Sequence, residues 1–480
     1  MQQIYLACHR KSRRIVFSCG IAIFAILTGF GCTERPTTID PPPVRPYAGV
    51  SLKVAAADPA DRELLRQLGR SWAVRNGVDL QILDDPRDGA ADVQLIPMAD
   101  LPQLANAGAL AELPTAFKSP TDAYRWDDIL QPYAARLTNW RDRTYALPVI
   151  GEGLVLAFRN DIFDGKDGRP LPPTTWEELR DAGNVYGLPP VPAGAERLQT
   201  EFFAAAACYD RPAVGRNAGV DVLREREAFF TFQIDMKSGD PRLDTPAFVH
   251  VANLFAGMKK RSKLLDAAAA FRAGETNVGI LSLAELGRVG PEIADKLGIA
   301  ALPGSRFTFD AKGEQMPTVR DAVNRVPYLG YAGRVGVVSA RCTAPEAAWN
   351  FLVDAGLPER NALDLIADAR WGAGAYRSSQ LDGKSRSRWY VYGLSASETE
   401  RLTNALRDNL GLGTQNYRIR LRTPNHNELD AALDADLRAT LTGKEPVEAG
   451  MKKANADWTS IIDRQPRQSW IDIARRSSGF

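Results

Sequence analysis

Side chains able to perform chemistry are few and widely spaced in this chain of 480 residues. Beyond residue 31 the histidines are His250 and His426, which stand in unrelated segments and form neither a metal-ligand pair nor a Ser/His/Asp order. No phosphate-binding glycine motif of the P-loop or dinucleotide type is present. Paired carboxylates occur at 84–85 and 127–128, in polar or helix-start contexts that favour a solvated surface. The sequence therefore predicts no enzyme, no metal site and no cofactor.

One cysteine near the N-terminus has the surroundings of a lipid-attachment site. A basic stretch and an apolar run of sixteen residues precede it, which is typical of an export signal and short for a membrane span. Small residues then lead to Cys32 as in a lipobox, although Gly29 stands where Leu or Val is preferred. The adjacent Arg13 and Arg14 leave both Sec and twin-arginine export open. We expect residues 1–31 to be a signal peptide and Cys32 to be acylated.

The segment that follows is proline-rich, and the charge of the remainder is low. Five prolines between residues 33 and 47 predict an extended spacer, so residues 32–48 are interpreted as a membrane tether. The formal charge is +2, and removal of residues 1–31, with four basic residues and no acid, changes it to −2. Neither nucleic acid nor an anionic bilayer surface is therefore an expected partner of the folded part.

Strands and helices alternate from residue 51 onward, which predicts an α/β protein. Apolar runs predict strands at 52–56, 78–83 and 92–96. A helix is predicted at 61–75 because one stripe of it is apolar, formed by Leu64, Leu65, Leu68 and Trp72.

The most informative motif begins at Tyr145. It reads Y-A-L-P, continues with an apolar strand at 154–158, and ends with P-T-T-W-E-E-L from Pro173, where Glu178 is placed for a capping box. Together with the L-x-x-L-x-x-x-G-x-L-x-x-L run at 101–113, this resembles the extracytoplasmic solute-binding proteins of ABC importers, family 1, which are carbohydrate-type and maltodextrin-binding-like. Looser matches follow in the same order at 235–248, 271–280, 300–304, 333–352 and 423–458.

The resemblance implies a type II periplasmic-binding-protein-like fold with two discontinuous lobes. Lobe I would comprise residues 49–150 and 328–372, and lobe II residues 151–327 and 373–480. The chain would cross between them three times, first near Ile150, then near Pro327 and finally near 372–374. Permissive residues stand near these crossings: Gly151, Gly153, Gly330, Gly333, Gly372 and Gly374. Of the cysteines, Cys208 and Cys342 would lie in different lobes, so we expect two buried free thiols.

Candidate solute contacts follow from the matched motifs and from the loops that should border the cleft. Glu152 stands where maltodextrin-binding members have a ligand-contacting carboxylate, with a solvent-facing turn as the alternative. Asp58 and the segment from Met98 to Asp100 follow predicted strands, where helix capping is the alternative for both aspartates. Phe202 is either a stacking aromatic or a core residue.

Aromatic rings that could stack on a sugar are present, but one expected ring is missing. The stretch 282–284 reads Ser-Leu-Ala where the family has a tryptophan, and Tyr328, Tyr331 and Trp371 cluster at the later crossings in its place. Arg377 could meet an acidic solute or a helix end.

The resemblance implies a membrane-anchored extracytoplasmic lipoprotein that passes a small solute, such as a sugar or oligosaccharide, to ABC permease subunits. The alternatives are a lipid-anchored glycoside hydrolase and a binding lipoprotein that serves a sensor.

Overall fold

The computed structural model describes residues 45–84, 90–119, 122–210, 230–310, 312–411 and 417–478. The predicted signal peptide, Cys32 and most of the predicted tether lie outside the described residues, as does Asp85. No helix within the described ranges is long and apolar enough to cross a membrane.

The strands occur in short runs along the whole chain. They are β1 (Ser51–Ala56), β2 (Asp79–Leu83), β3 (Val93–Pro97), β4 (Asn139–Trp140), β5 (Arg143–Thr144), β6 (Ala146–Ile150), β7 (Leu154–Arg159), β8 (Val278–Ser282), β9 (Leu297–Ala300), β10 (Phe307–Phe309), β11 (Gln315–Pro317), β12 (Tyr328–Leu329), β13 (Arg334–Val338) and β14 (Arg418–Ile419). The strands predicted at 52–56, 78–83, 92–96 and 154–158 are confirmed to within one residue at each end.

Helices separate most of the strands. They are α1 (Pro59–Asn76), α2 (Leu101–Asn106), α3 (Trp176–Tyr186), α4 (Ala195–Asp210), α5 (Pro246–Ala256), α6 (Ala267–Arg272), α7 (Leu283–Arg288), α8 (Pro291–Ala294), α9 (Pro345–Gly356), α10 (Pro358–Asn361), α11 (Ala396–Asn409), α12 (His426–Leu441), α13 (Val447–Ile462) and α14 (Arg467–Ser477). The capping box predicted at the start of α3 is present, with the Glu178 amide donating to the Thr175 hydroxyl at 3.2 Å.

The first sheet has five strands in the order β2-β1-β3-β13-β6. Strands β1, β2 and β3 are parallel, whereas β13 runs antiparallel to both β3 and β6. One face is covered by α1, whose predicted stripe is buried and includes Leu64, Leu68 and Trp72. Because β1 and β3 are parallel neighbours, their carboxyl ends lie side by side. The loops after them begin at Ala57 and Met98.

The second sheet has three antiparallel strands in the order β8-β7-β9 and is covered on both faces. Along β7, Val155 and Ala157 belong to one hydrophobic core, which also contains the interior of the first sheet. Leu154, Leu156 and Phe158 belong to a second core, built with helices α4, α5, α12 and α13. Because side chains alternate along a strand, this single strand contributes to two cores.

The chain passes between the two sheets after β6, and it returns to the first sheet at β13. The lobe boundaries predicted at 150 and 327 stand close to these passages, and the division of residues between lobes stays a prediction. Both cysteines of the described chain are free, as predicted. Cys208 is buried, but the prediction of two buried thiols is wrong for Cys342, which is half-buried beyond the end of β13.

Candidate functional site

Backbone contacts bring the first and third predicted crossings together. The amide of Gly151 donates to the carbonyl of Gly374 at 3.0 Å, and the Gly374 amide donates back at 3.3 Å. A Cβ atom at Gly374 would stand 2.0 Å from the carbonyl oxygen of Glu152, and one at Gly151 would stand 2.2 Å from that of Ala375. Glycine is therefore required here by the close approach of two backbones.

Glu152 connects the first crossing with the second. Its Oε1 accepts hydrogen bonds from the amides of Gly330, at 2.5 Å, and Tyr331, at 2.8 Å, while its own amide donates to the Tyr133 hydroxyl at 3.0 Å. The residue is 2% exposed, and its Oε2 has no hydrogen-bond partner among the described residues. The predicted alternative of a solvent-facing turn carboxylate is therefore wrong.

Burial changes the protonation of this carboxyl group. Removal from water raises the pKa of Glu152 to about 8, although the amides of Gly330, Tyr331 and Ala332 act in the opposite direction. At neutral pH the group is mostly protonated. It therefore offers a hydroxyl donor and a free lone pair at Oε2 instead of a full negative charge.

Two tyrosines of the second crossing lie beside this carboxyl group. The rings of Tyr328 and Tyr331 stack with centroids 6.2 Å apart and an interplanar angle of 4°. Tyr328 also packs on Phe203, at 5.6 Å between centroids, and is part of the second core. Tyr331 is 8% exposed and is the one whose backbone binds Glu152. Of the two, Tyr331 is thus the one that a hydrogen bond links directly to Glu152.

The third crossing contributes a tryptophan with an unused donor. Trp371 is half-buried, the Arg370 guanidinium lies 5.5 Å from its ring centroid, and its Nε1 has no hydrogen-bond partner in the described part of the chain. The next residue, Gly372, touches the start of α7, since a Cβ there would be 2.4 Å from the Ala284 nitrogen. Trp371 therefore stands close to the Ser-Leu-Ala stretch in which the expected tryptophan is missing.

Charged side chains at the start of α4 and beyond β14 were missed by sequence reasoning. Arg197 pairs with Glu201 at 2.8 Å and with Glu285 at 3.4 Å, and Arg420 pairs with Glu196 at 2.7 Å. Burial works against the charge of Arg197, yet the two carboxylates raise its pKa above the ordinary value. The available signal was the Glu-Arg pair directly before the buried part of α4.

As predicted, the segments after β1 and β3 lie at the same end of the first sheet, but their residues have different roles. Asp58 is exposed and caps α1, accepting from the Ala60 amide at 2.7 Å. Met98 is 1% exposed and packs against Gly333. Asp100 is half-buried, and its Oδ1 lies 3.2 Å from Nε2 of His426, the first residue of α12.

Two further candidates serve the interior. Phe202 is fully buried among Phe203, Phe248 and Phe255, which is the core alternative offered by the sequence. Arg377 is also fully buried, and its Nη2 donates to the carbonyl of Gly356, the last residue of α9, at 2.7 Å. Arg377 therefore binds a helix end, which is one of the two roles that the sequence left open.

The described residues contain no cluster of three or more His, Cys, Asp or Glu side chains able to hold a metal ion. His250 lies 3.2 Å from Glu177, and the other histidine pairs with Asp100 in a different part of the fold. The arrangement at the crossings consists instead of buried donors and acceptors with aromatic rings, which suits reversible binding of a polar solute.

A cavity of about 830 Å³ extends from Asp100 along β3 and the first sheet. Its wall includes Ala57, Gln94, Ile96, Leu104, Val337 and Asn427. Of the predicted site residues it borders Asp100 and not Glu152.

Comparisons with known proteins agree on one class. A family model described as "Bacterial extracellular solute-binding protein" matches residues 81–373. No match is found among curated protein sequences.

Solved structures of the same class cover most of the chain. The maltose-maltodextrin binding protein of Alicyclobacillus acidocaldarius has a TM-score of 0.59 at 15% identity, over 85% of this chain and 100% of that one. An ABC substrate-binding protein from Listeria monocytogenes in complex with cycloalternan has a TM-score of 0.60 at 12% identity, over 86% and 99%. An ABC transporter solute-binding protein from Agrobacterium vitis S4 with bound D-mannitol has a TM-score of 0.59 at 17% identity, over 87% and 99%. At these identities the likeness establishes the two-lobe, periplasmic-binding-protein-like fold.

Proposed function

This chain belongs to the bacterial extracellular solute-binding proteins, and from that premise we propose that it captures a carbohydrate or polyol between its two lobes. The solute would then be delivered to the permease subunits of an ABC-type importer. The ligands of structurally similar proteins support this class, since one is a maltose-maltodextrin binding protein and others hold cycloalternan or D-mannitol. The lobes are taken as residues 49–150 with 328–372, and 151–327 with 373–480.

The observation that carries the proposal is the half-satisfied carboxyl group of Glu152. A buried polar atom without a partner costs about 1–3 kcal/mol, so a solute hydroxyl that reaches Oε2 would recover this free energy on binding. Tyr331 and Trp371 lie on the neighbouring crossings, and an apolar sugar face can pack on such rings. Asp100 and the adjacent Met98 would approach from the loop after β3.

Binding without turnover is the expected chemistry. The family and its structural neighbours are binding proteins. No observation favours the hydrolase alternative or the sensor alternative. We further propose that the protein is extracytoplasmic and held to the membrane by a lipid on Cys32.

The test is a screen of maltooligosaccharides, cyclic glucans and polyols against the purified protein, with unfolding temperature and titration calorimetry as readouts. Glu152→Gln should weaken binding at least about tenfold, because the NH2 group that replaces Oε2 can donate but cannot accept a hydrogen bond. Glu112→Gln, at an exposed carboxylate that pairs with Arg143 at 3.4 Å, is the matched control and should bind normally. Absence of saturable binding by any of these solutes, or release of shortened sugars, would contradict the proposal.

Membrane attachment has a separate test. Cells that express the protein are labelled with radioactive palmitate, and the label should appear in the wild type and be absent from Cys32→Ser. Equal labelling of both forms would exclude Cys32 as the lipid-modified residue.

A further inference from the structure

A basic cavity lies away from the crossings, between the turn that follows β4 and the C-terminal helix α14. Its volume is about 360 Å³, and its wall is formed by Ala135, Arg136, Asn139, Arg141, Asp142, Arg422 and Arg476. Among the described residues, the wall carries four guanidinium groups and one carboxylate around a space of the size of a small-molecule site.

Arg422 is the unusual member of this group. It is 1% exposed, and its guanidinium donates to three carbonyl oxygens, those of Leu137, Arg136 and Ser477, at 3.0, 3.0 and 3.1 Å. Its Nε has no hydrogen-bond partner, and no carboxylate lies within salt-bridge distance of it in the described part of the chain. Arg422 is therefore a buried cation that is solvated by carbonyl groups and has no counter-ion among the residues that the structure describes.

Other buried arginines of the described chain have such a counter-ion. Arg418 pairs with Asp210 at 2.9 Å, and Arg377 lies 3.7 Å from Asp128. Burial, followed by the nearby charge of Arg136, lowers the pKa of Arg422 to about 10. A buried unpaired charge is strongly unfavourable. The lack of a carboxylate partner for Arg422 therefore makes this cavity a candidate anion site.

The remaining arginines are held at the mouth of the cavity. Arg141 stands in the left-handed region with φ of 51°, and its Nη2 donates to Asn106 Oδ1 at 2.8 Å. The guanidinium of Arg136 lies 5.3 Å from the ring centroid of Phe230. Arg476 is exposed on the last turn of α14. Guanidinium groups from three separate segments thus surround one space, and their fork geometry matches the oxygens of a phosphate.

We propose that this cavity binds a phosphate group, presented either by a small soluble molecule or by a lipid headgroup. A phosphate carries more negative charge than a carboxylate and accepts hydrogen bonds on all sides, so it suits a space bordered by several guanidinium groups better. Bound there, it would connect the segment before β6 with the segment after β14. The inference does not depend on the identity of the solute at the crossings.

Inorganic phosphate is the first probe, added to the purified full chain, with phosphorus NMR line width and unfolding temperature as readouts. Sodium chloride of equal ionic strength controls for ionic screening. Phosphate also stabilises proteins by exclusion from their surface, and this effect should be equal in all variants. Arg476→Gln removes an exposed cavity residue and should weaken phosphate binding about tenfold without changing the fold. Arg143→Gln, an exposed arginine one residue beyond the cavity wall, is the matched control and should bind like the wild type.

Vesicles distinguish the two sources of phosphate. The site is assigned to a lipid headgroup if the protein binds phosphatidylglycerol vesicles and free phosphate displaces it from them. In that case Arg476→Gln should reduce vesicle binding more than Arg143→Gln does. Saturable binding of free phosphate with no such vesicle binding would assign it to a soluble ligand. Arg422→Gln should abolish either form of binding, and its circular dichroism spectrum reports whether the chain still folds. Equal phosphate responses in the wild type, Arg476→Gln and Arg143→Gln would overturn the proposal.

Discussion

The protonation of Glu152 should make the stability of this protein fall as pH rises. The carboxyl group has a pKa of about 8 in the folded chain and an ordinary value of 4.5 when exposed, so between these values the folded state holds one more proton than the unfolded state. The contribution of this proton to stability is complete below pH 4.5 and is lost as pH rises through 8. At about 1.4 kcal/mol per pH unit, the free energy of unfolding should drop by about 2.5 kcal/mol between pH 5 and pH 7 from this group alone.

Glu152→Gln isolates that contribution from all other titrating groups. Glutamine resembles the protonated carboxyl group, and its Oε1 can still accept from Gly330 and Tyr331. Urea unfolding of both forms at pH 5, 6, 7 and 8 should give similar free energies at pH 5 and a growing advantage for the variant at higher pH. The control Glu112→Gln, at an exposed carboxylate, should run parallel to the wild type.

A difference between wild type and Glu152→Gln that stays constant from pH 5 to pH 8 would refute the assignment of a protonated buried carboxyl group. A wild type that is more stable than the variant at pH 8 would refute it as well, since it would mean that the charged form is the favoured one.

Three further predictions concern a glycine of the crossings, a helix cap and a core residue. Gly374→Ala should lower the free energy of unfolding by about 1–3 kcal/mol in urea unfolding, because the new Cβ meets a carbonyl oxygen at 2.0 Å, whereas Gly383→Ala, with no atom within 4 Å, should be neutral. Asp58→Ala should cost about 1 kcal/mol through loss of a helix cap and leave solute affinity unchanged, and weaker binding would show that Asp58 contacts the solute. Phe202→Ala should cost about 3–5 kcal/mol by opening a cavity in the core, and the folded fraction should bind solute with normal affinity in calorimetry at low temperature.

Elements that depend on neighbouring residues could be predicted from the sequence. Strand β1 and helix α1 follow from apolar runs and from a stripe at helical spacing. Both are present, although β1 begins one residue and α1 two residues earlier than predicted. The capping box of α3 needs residues only three apart, Thr175 and Glu178. These features are local, so their signals survive in a single sequence.

Features that join distant segments could not be predicted in the same way. The partner of Glu152, the amide of Gly330, is 178 residues away along the chain, and no local pattern reports that pairing. The same holds for Arg422, whose carbonyl partner on Leu137 is 285 residues away. Residue type alone also cannot separate the two predicted roles of Phe202, because the helix around it is equally apolar whether the ring stacks on a ligand or fills the core.

The shared position of β7 has a consequence for how the protein melts. Because alternate side chains of one six-residue strand complete two different interiors, neither half of the molecule can lose its structure and leave the other with a closed interior. Calorimetry should therefore record one cooperative endotherm with equal calorimetric and van't Hoff enthalpies, as in a small single domain. Loss of β7 would therefore expose both cores to solvent.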